Sequence, residues 1–501
     1  MTLRMKRLIY ISIILASASV AAQQKTDVLT RRLCHSSLET NVATWRYGNP
    51  ALMKDRFASS LTTIDAFWRY DSQQEARLIE EGDGSNRAGI EAKAYVKKGS
   101  NDIWGEAGYD FGQRRNVMLN ESSDYQTVYP YVTADLVGGE ETYRFSGGFA
   151  HTLKGGVTLG ASAGYNALLA YRTVDPRPRN LTSDLDFAAG MRWRWLGVAL
   201  KAGKYKQTNV VKFYNETFQP TVYHATGLGT DYFRFRGSNT NTYYNGWNFG
   251  IQADAASALG KITDAGIHVA YDYFGFDKII SSLNELPMAS VAEHRFNAAA
   301  HILTRFAATN TFAVEAEITR TQRDGNENIF GEAENNIYPE IASLTMFRRS
   351  TTEGSLCLAY EHTLDNVRIQ ARATGGYASD RWRYTEPERL MEGNAAIAGA
   401  DAAVAWHVNR CVLSAKAGAS ARIRTSSKLT MPETETSALN VSAERQYLLM
   451  ANNDCAYHAA AQADFAANHR FGIFCRLTWT GFRYAGSVNA SNYAATIGLV
   501  F

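Results

Sequence analysis

After its first residues the sequence has no long hydrophobic run. No stretch beyond residue 22 reaches the ~18 consecutive apolar residues of a membrane helix. A helical membrane protein is therefore excluded. Proline is scarce, at 9 in 501 residues, against 39 glycines and 27 tyrosines. That balance suits many long strands with aromatic belts better than a loop-rich chain. Cysteine is both scarce and odd in number: Cys34, Cys357, Cys411, Cys455 and Cys475. An odd count leaves at least one thiol unpaired, and the spacing shows no disulfide framework. Cys411 and Cys475 fall on apolar-facing strand positions, where they act as small hydrophobes. Excess charge is lacking too. The net charge is +3, and Arg4, Lys6 and Arg7 alone account for it. The remainder is near neutral, which argues against a nucleic-acid partner.

Catalytic motifs are also missing. There is no GxSxG, HExxH, P-loop or strand-to-helix GxGxxG. Glu361-His362 and the set Asp264, His268 and Asp272 read as ordinary polar residues of a wet strand face. Asp454, Cys455 and His458 have loose metal-like spacing, but in an extended strand Cys455 and His458 point to opposite faces. The expectation is a non-enzyme with no cofactor and no metal.

What is present starts with an export signal. Arg4, Lys6 and Arg7 precede the apolar Leu8–Leu15, and small residues follow from Ala16 to Ala22. Val20 and Ala22 occupy the −3 and −1 positions of a cleavage site before Gln23, the layout of a secretory signal peptide over residues 1–22. Cys34 is no lipoprotein anchor, because Arg31 and Arg32 stand where small residues would be needed.

The dominant signal downstream is alternation with a period of two. In 264–273, Ala265, Ile267, Val269, Tyr271 and Tyr273 oppose Asp264, Gly266, His268, Ala270 and Asp272. The same split recurs in 184–195, 311–319, 366–374 and 411–424. Successive strand side chains point to opposite faces, so one face suits lipid and the other water. A helix would need spacings of three and four. Short links such as Lys98-Gly99-Ser100, Leu196-Gly197 and Val408-Asn409-Arg410 alternate with long polar stretches, including 112–140, 208–244, 322–350 and 425–452. This rhythm predicts an all-β, transmembrane, antiparallel up-and-down barrel over residues 59–501. It has short periplasmic turns, long extracellular loops and about 18 strands, within a range of 14–18. A sandwich gives no reason for the short–long rhythm, and no repeat supports a propeller or solenoid.

Residues 23–58 do not read as barrel. They form a periplasmic extension or a plug, with Asn49, Pro50 and Ala51 as its marked positions. At the other end, Tyr493, Ala495, Ile497, Leu499 and Phe501 share one face of the last strand. This resembles the assembly signal that the barrel-assembly machinery reads on outer-membrane barrels. An unpaired apolar strand edge is a natural template for strand addition.

Trp45-x-x-Gly48-Asn49-Pro50-Ala51, Tyr129-Pro130-Tyr131 ahead of Gly138-Gly139, and the terminal strand together make the chain similar to uncharacterised outer-membrane barrels of Bacteroidota. Asn49-Pro50-Ala51 also resembles a short box in the N-terminal hatch of fatty-acid transporter barrels. These resemblances imply an outer-membrane location, with lipids and lipopolysaccharide as neighbours, and no assigned activity.

Inward positions carry charge of both signs: Arg192, Arg194, Arg368, Arg372, Lys416, Arg422 and Arg424, with Asp264, Asp272, Glu315 and Glu317. Such residues line a selective path or lock a closed interior. The expected function is a channel or transporter for a small solute. The alternative is a closed structural or partner-binding barrel that displays its loops, and an embedded enzyme ranks third.

Overall fold

The structure is a computed structural model. It describes residues 27–501 except 79, 120–124, 126, 129–137, 176, 215–220, 238–240, 260–261, 336, 433–437 and 485–487. The signal-peptide residues 1–22 and Tyr129-Pro130-Tyr131 lie outside the described residues.

Twenty-one strands follow in chain order. They are β1 (Leu61–Gln73), β2 (Gly84–Lys98), β3 (Asn101–Arg115), β4 (Thr127–Val128), β5 (Gly138–Thr152), β6 (Val157–Tyr171) and β7 (Arg177–Trp193). Next come β8 (Leu196–Lys212), β9 (Tyr223–Gly227), β10 (Thr230–Asp231), β11 (Thr242–Leu259), β12 (Thr263–Ile280), β13 (Leu286–Ala307) and β14 (Asn310–Phe330). The last are β15 (Glu340–Thr363), β16 (Val367–Tyr384), β17 (Arg389–Val408), β18 (Cys411–Thr430), β19 (Asp454–Ala466), β20 (Gly472–Tyr484) and β21 (Val488–Val500). Eighteen of them form one antiparallel sheet in sequence order, and the sheet closes on itself where β21 pairs with β1. Phe501 finishes the seam by exchanging backbone hydrogen bonds with Thr62, at 2.9 and 3.1 Å. Closure removes the edges that an open sheet would leave unpaired in lipid.

The predicted alternation is realised in this wall. Ile90, Phe149, Leu200, Ile267, Leu356, Leu477 and Ile497 are among the large apolar side chains turned outward and exposed. A contiguous apolar exterior of this kind is stable only against lipid. Tyr493, Ile497 and Leu499 belong to that outer face, and the Phe501 ring lies 5.4 Å from the Phe471 ring.

Two features differ from the sequence reading. The barrel strands run on well past membrane thickness, from 13 to 24 residues, so much of 322–350 is paired strand rather than loop. There both faces of the sheet meet water or protein, and alternation no longer marks the strand. Second, β7 stops at Trp193. Arg194 sits in the β7–β8 turn with φ 54°, its guanidinium 4.9 Å from the Trp193 ring centre. It is not an inward wall residue. A two-residue hairpin needs left-handed backbone, and the turn takes it here although alternation continues through Trp195.

Candidate functional site

Residues 27–58 sit inside the short-turn end of the barrel, the periplasmic end in outer-membrane barrels. Their sequence folds into short pieces that fit a confined space. A helix, Val28–His35, is capped by Asp27, whose carboxylate accepts from the Leu29 N–H at 3.0 Å. A one-turn helix (Leu38–Asn41) and two 3-10 turns (Thr44–Gly48 and Pro50–Met53) follow. Proline at the head of the last turn loses no hydrogen bond there.

Wall carboxylates hold this plug by its backbone. Glu361 accepts from the Leu38 N–H at 2.9 Å, and Glu315 from the Ala43 N–H at 2.6 Å. Asp102, fully buried, accepts from the Asp55 N–H at 2.7 Å and faces the Lys54 ammonium at 3.4 Å. Asp464 pairs with Arg32 at 2.6 Å. The wall donates as well: Arg368 to the Leu33 carbonyl at 2.6 Å, Gln370 to Ser36 O at 3.1 Å and Gln252 to Arg46 O at 3.2 Å. Each such bond contributes about 0.5–1.5 kcal/mol, rising to about 3 where the partner is charged.

The Asn49-Pro50-Ala51 box has a built seat. Asn49 is fully buried; its side chain accepts from the Ala51 N–H at 3.0 Å and donates to Met191 O at 3.4 Å. Three wall glycines make room for it. A Cβ on Gly190 would fall 1.9 Å from Asn49 Oδ1, and one on Gly160 2.4 Å from the Ala51 nitrogen. On Gly197 it would lie 3.0 Å from Asn49 Nδ2. Beside the buried Pro50–Met53 turn and the rings of Trp45 and Phe57, which lie against His268 and Tyr95, apolar contact gathers in two small clusters. Leu38, Val42 and Ala43 meet Leu303, Ala313 and Ala359, while Val28 and Leu29 meet Val412, Ala466 and Val500.

The register turns Arg192, Asp264, Asp272, Glu315, Glu317, Arg368, Arg372, Lys416, Arg422 and Arg424 to the inner face. They do not form one site. Glu315 and Arg368 grip the plug. Asp264 faces His301 at 3.9 Å, and Asp272 faces Lys201 at 3.5 Å. Glu317 accepts from Asn297 at 2.7 Å, and Lys416 pairs with Asp401 at 3.0 Å. Arg424 pairs with Asp454 at 3.0 Å and donates to Leu449 O and Asn452 O. It thereby caps the C-terminal end of the helix Ala438–Ala451, where cations are favoured.

A second inward network went unread in the sequence. Arg87 reaches Asp110 at 2.6 Å and Glu140 at 3.1 Å, Arg144 reaches Asp110 at 2.7 Å, and Arg114 also pairs with Glu140. The pattern Arg87, Asp110, Glu140, Arg144 alternates with apolar positions and could have been found as the charged face of β2, β3 and β5.

Above the plug a chamber of about 570 Å³ is lined by Asp186, Lys201, Asn248, Asp272, Glu293 and Arg295. Gly147, Ser162 and Gly164 on the adjoining β5 and β6 keep the wall thin beside Asp186. A narrower cleft of about 330 Å³ separates the plug helix from the wall beside Arg32, Arg368, Lys416 and Arg476. The long-loop end is filled differently. The small sheet of β4, β9 and β10 folds into the mouth, and Tyr125, Leu228 and Phe235 pack on Phe276, Met288, Phe330, Phe347 and Met391.

A family model described as "Family of unknown function (DUF6850)" matches residues 50–501. The chain belongs to that family. The match covers the wall and the last turn of the plug, from Pro50 onward. A search of curated proteins returned no match. Among solved structures, a mutant of the ferric enterobactin receptor PfeA from Pseudomonas aeruginosa is similar at 9% identity, covering 89% of this chain and 81% of that one, with a TM-score of 0.40. The copper transporter OprC gives 7% identity, 89% and 81% coverage and a TM-score of 0.41. The CymD monoaromatic hydrocarbon channel gives 10% identity, 95% and 96% coverage and a TM-score of 0.34. At these scores none of the three bears on the solute of this barrel.

Proposed function

We propose that this member of the family is an outer-membrane channel or transporter for a small polar solute, gated by its own N-terminal segment. The observation that carries the reading is how the plug is held. Its contacts with the wall are side-chain hydrogen bonds, ion pairs and small apolar patches, and the closed strand ladder of the wall runs complete without it. A plug held in this way leaves without breaking the barrel. Behind it stands the chamber, lined by charges of both signs beside Trp104 and Phe274. A solute crossing there meets donors and acceptors as well as aromatic rings.

The reading carries its delivery with it. Residues 1–22 are removed before Gln23 on export, and the machinery that assembles outer-membrane barrels takes up β21 through Tyr493, Ile497, Leu499 and Phe501. Lipid and lipopolysaccharide then contact the apolar belt. The chain acts without a catalytic step.

Planar-bilayer recording tests it. Glu315→Ala combined with Glu361→Ala removes two acceptors from buried plug N–H groups, a loss of about 1–3 kcal/mol each. Wild type stays mostly silent and the double variant shows unitary steps. A double variant as silent as wild type, with the plug shown to be displaced, contradicts gated passage. It would favour instead a closed barrel that presents its loops, the reading the apolar lid supports.

A further inference from the structure

A cavity of about 880 Å³ lies at the long-loop face and is no part of the plug or the chamber. It opens between the 3-10 turn Phe233–Phe235, the β14–β15 and β16–β17 tips, and the start of the helix Ala438–Ala451. Its volume is that of a small-molecule site.

Three properties of its lining define a ligand class. First, charge is balanced: Arg234, Arg236 and Arg389 face Asp231, Glu327 and Glu386. Arg236 and Asp231 already neutralise each other at 2.7 Å. A strongly anionic or cationic ligand gains little there, and an apolar one would strip water from six charged groups without replacing it. Second, hydrogen-bonding groups of both kinds share the lining: Glu327 and Glu386 bring carboxylate acceptors and Arg234 and Arg236 guanidinium donors, while Arg389, 4% exposed, is already directed to Leu228 O at 2.7 Å and Asn440 Oδ1 at 2.9 Å. Third, Phe233 stands 74% exposed at the rim, with Tyr232 and Tyr384 also lining the cavity. An aromatic face carries negative charge density and attracts the positive C–H edges of a saturated ring.

We infer that this cavity binds a neutral saccharide. Sugar hydroxyls both donate and accept, so one ring can accept from the arginines of the lining and donate to Glu327 or Glu386. Its C–H face stacks on Phe233 or a neighbouring tyrosine. The inference names a solute class for the passage proposed above and rests on that reading for its role. Binding itself is measured apart from passage.

The test is titration calorimetry on the full-length protein in detergent. The probes are maltotriose, cellotriose and chitotriose, with trialanine and citrate as zwitterionic and anionic controls. At least one trisaccharide should bind, and Phe233→Ala should weaken it by about tenfold or more. Because Phe233 is exposed, that variant keeps its fold, which heat-modifiable gel migration verifies. Glu386→Ala, at an exposed residue of the lining, should weaken binding comparably. The inference is overturned if no trisaccharide binds, if both variants bind as wild type does, or if trialanine or citrate binds in their place. Liposome swelling with the bound sugar separates the two readings. Binding without swelling in the Glu315/Glu361 variant sinks the transport role and leaves the site. Swelling without binding sinks the site alone.

Discussion

The two ends of the lumen are packed by different physics. At the long-loop end, fifteen buried residues make one apolar cluster that includes wall and loop side chains alike. At the short-turn end, the plug shares two small clusters, one buried turn and a few ring contacts with the wall, and carboxylates, amides and guanidinia hold the rest. Apolar burial is non-directional and sums over area, so the lid is part of the fold. Hydrogen bonds exchange with water at small net cost, so the plug is a separable part. One end is built to stay and the other to move.

Four changes sharpen or break that contrast. The largest effect is expected from Phe276→Ala in the lid, where truncating a buried aromatic costs about 3–5 kcal/mol. Urea unfolding of the whole barrel should shift accordingly, and an unshifted midpoint would show the lid to be no more integral than the plug. Next comes acid. Burial holds His35 down at about 4, with Arg56, Arg31 and Arg32 adding to it and the bond to Ser59 O at 2.8 Å opposing. The docked plug keeps this ring neutral, stacked 4.0 Å from Phe57. The released plug titrates near 6.5, so docking is at full strength above that pH. It weakens as pH falls and has lost about 3 kcal/mol once pH passes 4. Conductance should therefore rise on acidification, and His35→Gln should flatten the profile.

Overpacking the seat comes third. Gly160→Ala places a Cβ against the Pro50–Ala51 backbone, which cannot yield as a side-chain tip would. A displacement cost of about 1–3 kcal/mol follows. Protease accessibility of residues 27–58 should increase while the barrel still migrates as folded. The smallest effect is expected at Arg194, exposed in its turn: Arg194→Ala should alter stability by less than about 0.5 kcal/mol and leave conductance unchanged. A change in ion selectivity would return it to the lumen.

The wall was legible because each strand states its own two faces. Ala265 to Tyr273 against Asp264 to Asp272 needs no partner to be recognised, and repetition of that local pattern supplies the barrel and its eighteen strands. The inward direction of Glu315 was legible for the same reason, but its use was not. The N–H it accepts from belongs to Ala43, 272 positions away, and Leu38 and Glu361 are 323 apart. A single chain carries no period that marks such pairs. Arg194 shows the opposite failure, where alternation persists into a turn that the backbone has already taken. The lid was hidden because the aromatics Tyr125, Phe235 and Phe347 come from separate loops and strands and form a cluster only once the barrel has closed.

The most direct test of a separable plug in a lasting barrel is conductance recorded through a stepwise urea titration, alongside heat-modifiable migration. Unitary currents should appear at a urea concentration where the barrel still migrates as folded. Currents that begin only when the folded band disappears would show that plug and wall are a single cooperative unit, and gated passage would be wrong.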